Sequence, residues 1–179
     1  MKLAILKWIL PVLPVLMLWS CQSHKSLDTV DELQLEKYAG KWYEIARLPN
    51  RFERGLKCVT AEYSIREDGK VGVLNKGREI DNPENTNTAE GVARVPNAEK
   101  PGQLKVQFFW PFSGDYYVIE LDEDYQYALV GSPSRKYLWI LAREKEIPDA
   151  VNVKLTEVAG KKGFETDELI YVDHDCDEY

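Results

Sequence analysis

The side chains in this sequence that are best suited to chemistry belong to three cysteines and two histidines. Cysteine thiolates attack electrophiles and bind metals, and pairs of cysteines form disulfides. Histidine is the commonest general base, yet His24 and His174 lie near the two ends of the chain and the body between them contains none. The sequence also lacks a Gly-x-Ser-x-Gly, a His-Glu-x-x-His and a phosphate-loop motif. We therefore expect a protein that is not an enzyme and uses no cofactor.

Cys21 follows an N-terminal segment that is typical of an export signal. Two lysines precede an apolar run over residues 8–19, which is shorter than the roughly 20 residues that span a bilayer. The run ends in Leu18-Trp19-Ser20-Cys21, which resembles the bacterial lipobox, where cleavage leaves the cysteine to carry lipid. We expect residues 1–20 to be a lipoprotein signal peptide and Cys21 to be lipidated. The alternative is an ordinary signal peptide in which Cys21 has no role.

Cys58 and Cys176 remain once Cys21 is assigned to lipid. An exported protein meets an oxidising environment, in which such a pair commonly forms a disulfide. A metal site in the acidic segment 173–177 is an alternative, although that segment lacks regular zinc spacing. A catalytic thiol is a third possible role for one of these cysteines. We expect no metal site.

The charge of the chain bears on its partners and its domains. Removing residues 1–20 takes away two lysines and no acids, so the formal charge changes from −7 to −9. An acidic chain of this kind is a poor partner for nucleic acid. Residues 21–32 are polar and unpatterned, as a tether is, and we assign residues 33–179 to a single domain.

The domain consists of short strands separated by turn residues, of which Asp68-Gly69 is the clearest hairpin signal. We predict strands at 41–49, 58–67, 71–80, 87–95, 103–110, 115–122, 125–131 and 136–143. Eight sequential strands favour an all-β, antiparallel up-and-down barrel, because closure removes exposed edges. One helix is predicted between Pro148 and Gly163, packed outside the barrel, and a short closing strand at 169–172.

Alternation along the strands predicts which side chains face the interior. The apolar sets are Val59, Ala61, Tyr63 and Ile65 in the second strand and Leu104, Val106 and Phe108 in the fifth. Cys58 falls on the opposite, outward face, which argues against a thiol acting inside the barrel. An eight-stranded barrel is either filled by side chains or wide enough for one small ligand.

Four short segments resemble the motifs of a known family. Gly40-Lys41-Trp42 opens the first strand, and Leu138 to Arg143 forms the eighth, with Pro49 to Gly55 and Tyr127 to Val130 between them. In this order and spacing the motifs resemble those of lipocalins, over about residues 33–172. Within the family the chain is most similar to bacterial outer-membrane lipoprotein lipocalins and to apolipoprotein D.

The resemblance implies roles for particular residues. Trp42 would plug the closed end of the barrel, with Arg143 laid across its ring as a structural cation–π pair. Cys58 and Cys176 would form a disulfide. The ligand-facing residues would be Tyr63, Asn75, Tyr116 and Trp139, to which the inward strand positions Val106 and Phe108 add apolar surface.

The resemblance also implies a function. We expect a fatty acid or lysophospholipid in the barrel, for lipid transport or storage in the cell envelope. Gln22 after Cys21 resembles the pattern of lipoproteins sorted to the outer membrane, so the protein would be anchored by lipid on its periplasmic face. A homodimer is known among relatives, so the resemblance implies a monomer or a weak homodimer. Two alternatives are a thiol isomerase similar to lipocalin-type prostaglandin D synthase and a filled barrel with a structural role.

Overall fold

The computed structural model describes residues 26–176, and most of that range is β-strand. The strands are β1 (Gly40–Arg47), β2 (Leu56–Ile65), β3 (Val71–Glu79), β4 (Thr86–Arg94), β5 (Gln103–Phe109), β6 (Phe112–Leu121), β7 (Tyr127–Gly131), β8 (Leu138–Ala142) and β9 (Ile170–Tyr171). The helices are α1 (Leu35–Tyr38), α2 (Asp149–Lys161) and a 3₁₀ turn (Thr166–Glu168). Each predicted strand overlaps one of β1–β8, and the ends differ by at most three residues. The helix α1 and the 3₁₀ turn are absent from the predicted elements because they are too short to show a helical period.

The strands form a closed antiparallel barrel, as predicted. Consecutive strands from β1 to β8 pair with one another, and β1 also pairs with β8 to close the barrel. Trp42 lies opposite Ala61 on one side of β1, and Tyr43 lies opposite Ala142 on the other. The predicted short closing strand is β9, which pairs with β1 through Ala46 and Arg47. No edge of the eight-stranded barrel is left for pairing with another chain.

The turns between the strands alternate between two ends of the barrel. We call the end that carries residues 66–70, 95–102 and 122–126 the closed end, because α1 lies beside it. The other end, which carries residues 48–55, 80–85, 110–111 and 132–137, we call the open end.

Two apolar cores hold the fold together. One lies inside the barrel and includes Trp42 and Val118, and the other lies between the barrel wall and α2. Leu155 and Ala159 of α2 are buried in this second core, as the predicted apolar stripe requires. Pro148 caps the start of α2, and Gly163, with φ of +88°, follows its end in a conformation that favours glycine. Burial of each large side chain contributes about 1.5 to 3 kcal/mol.

Residues 21–32 were expected to form a tether, and the part of that segment that the structure describes is packed on the barrel. Leu27 is only 3% exposed and joins the core beneath α2. The Val30 amide donates to the Val118 carbonyl of β6 at 3.0 Å. The signal segment 1–20 and Cys21 lie outside the described residues. Within residues 26–176, no helix combines the length and the apolar composition needed to cross a membrane.

Candidate functional site: the interior of the barrel

The closed end of the barrel is sealed by Trp42 and Arg143. The Trp42 ring is fully buried, and the Arg143 guanidinium lies 3.9 Å from its centroid. The Trp42 indole N–H donates to the Tyr38 carbonyl of α1 at 2.8 Å. Arg143 also donates to carbonyl oxygens of Lys37, Tyr38, Ala39, Lys41 and Tyr125. The guanidinium therefore ties α1, β1 and the β6–β7 turn together.

Three tyrosine hydroxyls meet above this seal. The Tyr116 hydroxyl lies 2.7 Å from that of Tyr38 and 2.8 Å from that of Tyr63. Burial raises the pKa of each of the three phenols above its ordinary value, so all three remain neutral donors and acceptors. A cavity of about 10 Å³ lies beside them, with Val106 and Leu104 in its wall, which is room for about one water molecule. The closed half of the interior is therefore packed rather than open.

The open half of the interior is lined by smaller side chains. Asn75 on β3 lies opposite Ala89 on β4, and Gly91 follows on the same inward face. All three are partly exposed, as is Trp139 on β8. The Asn75 side-chain oxygen is buried, and it accepts no hydrogen bond from any residue between 26 and 176. An unpaired buried acceptor costs about 1 to 3 kcal/mol, so this position favours a polar ligand group or a water.

Phe108 stands at the mouth of the barrel. Its ring edge would lie 2.8 Å from a Cβ placed on Gly91, so a side chain at that position would displace the ring. The side chain is 36% exposed, unlike Leu104 and Val106 on the same strand. Ile65, at the closed end of β2, is 44% exposed. The predicted inward faces of β2 and β5 are thus correct along most of each strand, and the apolar pattern continues past the end of the buried interior.

Trp139 takes part in an inward polar network that sequence analysis did not predict. The Arg47 guanidinium donates to the Glu44 carboxylate at 2.7 Å, and both side chains are 4% exposed. Arg47 also donates to the Glu53 carbonyl of the β1–β2 loop at 2.8 Å. The Glu53 carboxylate in turn accepts from the Trp139 indole at 3.0 Å. The network therefore holds the β1–β2 loop against the inside of the open end.

A β-bulge explains why this network was missed. Glu44 lies opposite Leu141 and Arg47 lies opposite Trp139, and the register shifts between them. Strict alternation from Trp42 places Glu44 inward but Arg47 outward, whereas the extra residue in the bulge turns Arg47 inward. Burial and the nearby Glu53 carboxylate raise the pKa of Glu44, while Arg47 lowers it. Alternation alone could have identified Glu44.

The disulfide between Cys58 and Cys176 is present, with the two Cα atoms 6.4 Å apart. Cys58 has a φ of +52° and lies at the bulge in β2, and its amide donates to the Asp173 carbonyl at 2.8 Å. His174 contacts the Glu44 carbonyl through Nε2 at 2.9 Å, and burial lowers the pKa of its imidazole. In the described part of the chain, no cluster of three His, Cys, Asp or Glu side chains could hold a metal ion.

A second depression, of about 510 Å³, lies at the open end of the barrel beside β9. Its walls come from the β1–β2 loop, including Arg51 and Arg54, and from the segment 170–173. It is open to solvent on the surface and separate from the tyrosine cluster. None of the ligand-facing residues implied by the family resemblance lines it.

Comparison with known proteins supplies the remaining observation. Residues 33–174 match the family described as the lipocalin-like domain. The chain belongs to the lipocalin family. This lipocalin is 46% identical over 149 residues to the outer membrane lipoprotein Blc of Vibrio cholerae serotype O1, covering 83% of this chain and 86% of that protein. It is 45% identical over 150 residues to the protein of the same name in Escherichia coli K12, covering 83% of each.

More distant relatives agree with this assignment. Apolipoprotein D of Macaca fascicularis is 35% identical over 152 residues, covering 80% of this lipocalin and 78% of that protein. Among solved structures, insecticyanin from the tobacco hornworm Manduca sexta superposes with a TM-score of 0.68 at 23% identity, covering 83% of this chain and 85% of that one. At that identity the superposition supports the fold: a closed eight-stranded barrel with one helix packed outside.

Proposed function

We propose that this lipocalin is an outer-membrane lipoprotein that binds one single-chain lipid, a fatty acid or a lysophospholipid, in the open half of its barrel. The observation that carries the proposal is the combination of small inward side chains with an unpaired acceptor at Asn75. An acyl chain would occupy the space beside Ala89, since the Phe108 ring already covers Gly91. A hydroxyl, amine or water at the Asn75 oxygen would fix the orientation of the lipid.

The energetics favour an amphiphile with a long chain. Each methylene transferred from water contributes about 0.8 kcal/mol, which is about a fourfold change in affinity. The polar groups of the interior, namely the tyrosine hydroxyls and the Glu44–Arg47 pair, already bond to one another, so they add little attraction for a second charge. The chain supplies most of the affinity, and no chemical step is required.

Attachment to the membrane is the second part of the proposal. The lipobox-like sequence before Cys21 supports lipidation there, and the names of the bacterial relatives support the outer membrane as the location. Lipid chains on Cys21 would hold the protein stably, because more than one acyl chain is needed for lasting anchorage. Gln22 supports sorting to the outer membrane, where the barrel would lie on the periplasmic face. Transport or storage of envelope lipids follows from this location.

The alternatives make different predictions. A thiol isomerase needs a free cysteine facing the interior, whereas the Cys58 sulfur is bonded to Cys176. A filled structural barrel is favoured by the packed closed half, with its cavity of about 10 Å³. It is disfavoured by the partly exposed inward residues of the open half. Ligand binding separates this second alternative from our proposal.

The test compares two neighbouring residues on β4. Ala89→Phe places a ring on the inward face beside Asn75, and Glu90→Phe places the same ring on the exposed outward face. Titration with palmitate or a lysophospholipid, followed by tryptophan emission, should give saturable binding to the native protein. We expect Ala89→Phe to weaken binding at least tenfold and Glu90→Phe to change it less than twofold. Equal effects in two folded variants, or no saturable signal, would contradict a lipid in the barrel.

A further inference from the structure

The hairpin tip between β5 and β6 exposes an unusual amount of aromatic surface. The sequence there is Phe108-Phe109-Trp110-Pro111-Phe112, and Phe109, Trp110 and Phe112 are 74%, 86% and 77% exposed. Isolated exposed apolar residues are common, but contiguous ones mark an interaction surface. We call residues 108–112 the aromatic tip. Nothing in the barrel interior requires these rings, apart from Phe108 at the mouth.

The aromatic tip belongs to a larger apolar rim. Phe52 in the β1–β2 loop and Ile80 after β3 are 59% and 55% exposed, and both lie at the open end. At the closed end, Ile65 is the one large apolar side chain among residues 26–176 with comparable exposure. The exposed apolar surface of the barrel ends is therefore concentrated around the mouth.

The charges of the two ends differ in the same direction. The open-end turns contain four cations and three acids, and the closed-end turns contain three cations and six acids. Arg51 lies 4.8 Å from the Phe52 ring centroid, which places a cation beside an exposed aromatic ring. Aromatic rings with cations beside them are typical of surfaces that contact the headgroup region of a bilayer. The open end is therefore the less acidic of the two ends of this acidic protein.

The N-terminal side of the described chain runs from the closed end, where Thr29 and Val30 lie against Gly102, along the barrel toward the open end. Asp28 pairs with Lys162 at 3.2 Å, and the Lys162 carbonyl accepts from Arg135 in the β7–β8 turn at 3.1 Å. That turn belongs to the open end. Five residue steps separate Cys21 from Ser26, and a fully extended chain of that length spans about 17 Å. Lipid on Cys21 would therefore hold the open end within a short distance of the membrane surface.

We propose that the open end docks on the lipid bilayer, with the aromatic tip inserted among the headgroups and the basic rim residues beside it. Trp and Phe favour this depth of the membrane because their apolar rings contact the acyl chains there while the chain around them stays among the polar headgroups. In this orientation the mouth of the barrel faces the bilayer. A single-chain lipid would then pass between membrane and barrel without crossing bulk water. The short distance between the open end and the membrane rests on the proposed anchor at Cys21. The choice of the open end as the docking surface rests on its exposed aromatic rings and its charge.

The experiment uses the full lipidated protein in vesicles of phosphatidylcholine and phosphatidylglycerol whose acyl chains are brominated near the headgroup, because bromine quenches nearby tryptophan. Trp42 is buried and Trp139 faces the interior, so the difference between native protein and Trp110→Phe isolates position 110. We expect the bromolipid to quench the native protein at least twice as strongly as Trp110→Phe. A bromolipid bound in the barrel would quench Trp139 equally in the native protein and in Trp110→Phe, so it would not change the difference between them.

Ile65→Trp in the Trp110→Phe background is the matched control, since it places a tryptophan at an exposed position of the closed end. We expect no additional quenching there. Equal quenching of native protein and Trp110→Phe, in protein that floats with the vesicles, would overturn the docking and leave the anchor intact. An aromatic tip covered by a second copy of the chain would give that result. Protein that does not float with vesicles would contradict both the anchor and the docking.

Discussion

At the scale of single residues, Arg143 makes five hydrogen bonds to backbone carbonyl oxygens. Its guanidinium lies over Trp42 and donates to carbonyl oxygens of α1, β1 and the β6–β7 turn. Arg143→Ala should therefore lower the free energy of unfolding by about 2 to 4 kcal/mol, since it orphans several acceptors at once. Arg143→Lys should recover less than half of that loss, because an ammonium cannot reproduce the planar fork. Urea unfolding followed by circular dichroism measures both, and stability of Arg143→Ala within about 0.5 kcal/mol of native would show that the seal is not structural.

At the scale of elements, the Cys58–Cys176 disulfide fixes the segment after β9 to the start of β2. The bond spans 118 residues, for which chain entropy alone predicts a stabilisation of about 4 to 5 kcal/mol. The double variant Cys58→Ser, Cys176→Ser should lose up to that amount and should have a melting temperature that dithiothreitol does not change. Native protein should fall to nearly the same melting temperature when reduced. Identical melting temperatures of oxidised and reduced native protein would contradict a stabilising bridge.

The elements also show which parts of the structure can be predicted from sequence. Strand order, the outer helix and the inward positions of Tyr63 and Val106 follow from the periodicity and turn residues. The pairing of Arg143 with Trp42 follows from family resemblance, because residues about a hundred positions apart give no local signal. The inward turn of Arg47 depends on a bulge, which interrupts the period without a marker in the sequence. The packed tyrosine cluster was not predictable, since alternation assigns a face but not the volume left beside it.

At the scale of the whole molecule, the two ends of the barrel have different roles. The closed end is sealed by Trp42, Arg143 and α1, and the open end combines a small-residue interior with an apolar rim. The aromatic tip lies at the open end, where we also propose that the ligand enters. We therefore place the stabilising contacts of the seal at the closed end and the proposed exchange of lipid with a membrane at the open end. Substitutions at one end should leave the properties of the other end largely unaffected.

Native mass spectrometry of protein purified with its membrane-derived ligand tests the central claim most directly. We predict one non-covalently bound lipid per chain, with the mass of a fatty acid or a lysophospholipid, released on collisional activation. Ala89→Phe should be recovered without that ligand, and Glu90→Phe should retain it. Native protein recovered without any lipid, or a lipid held equally by the Ala89→Phe variant, would contradict binding in the open half of the barrel.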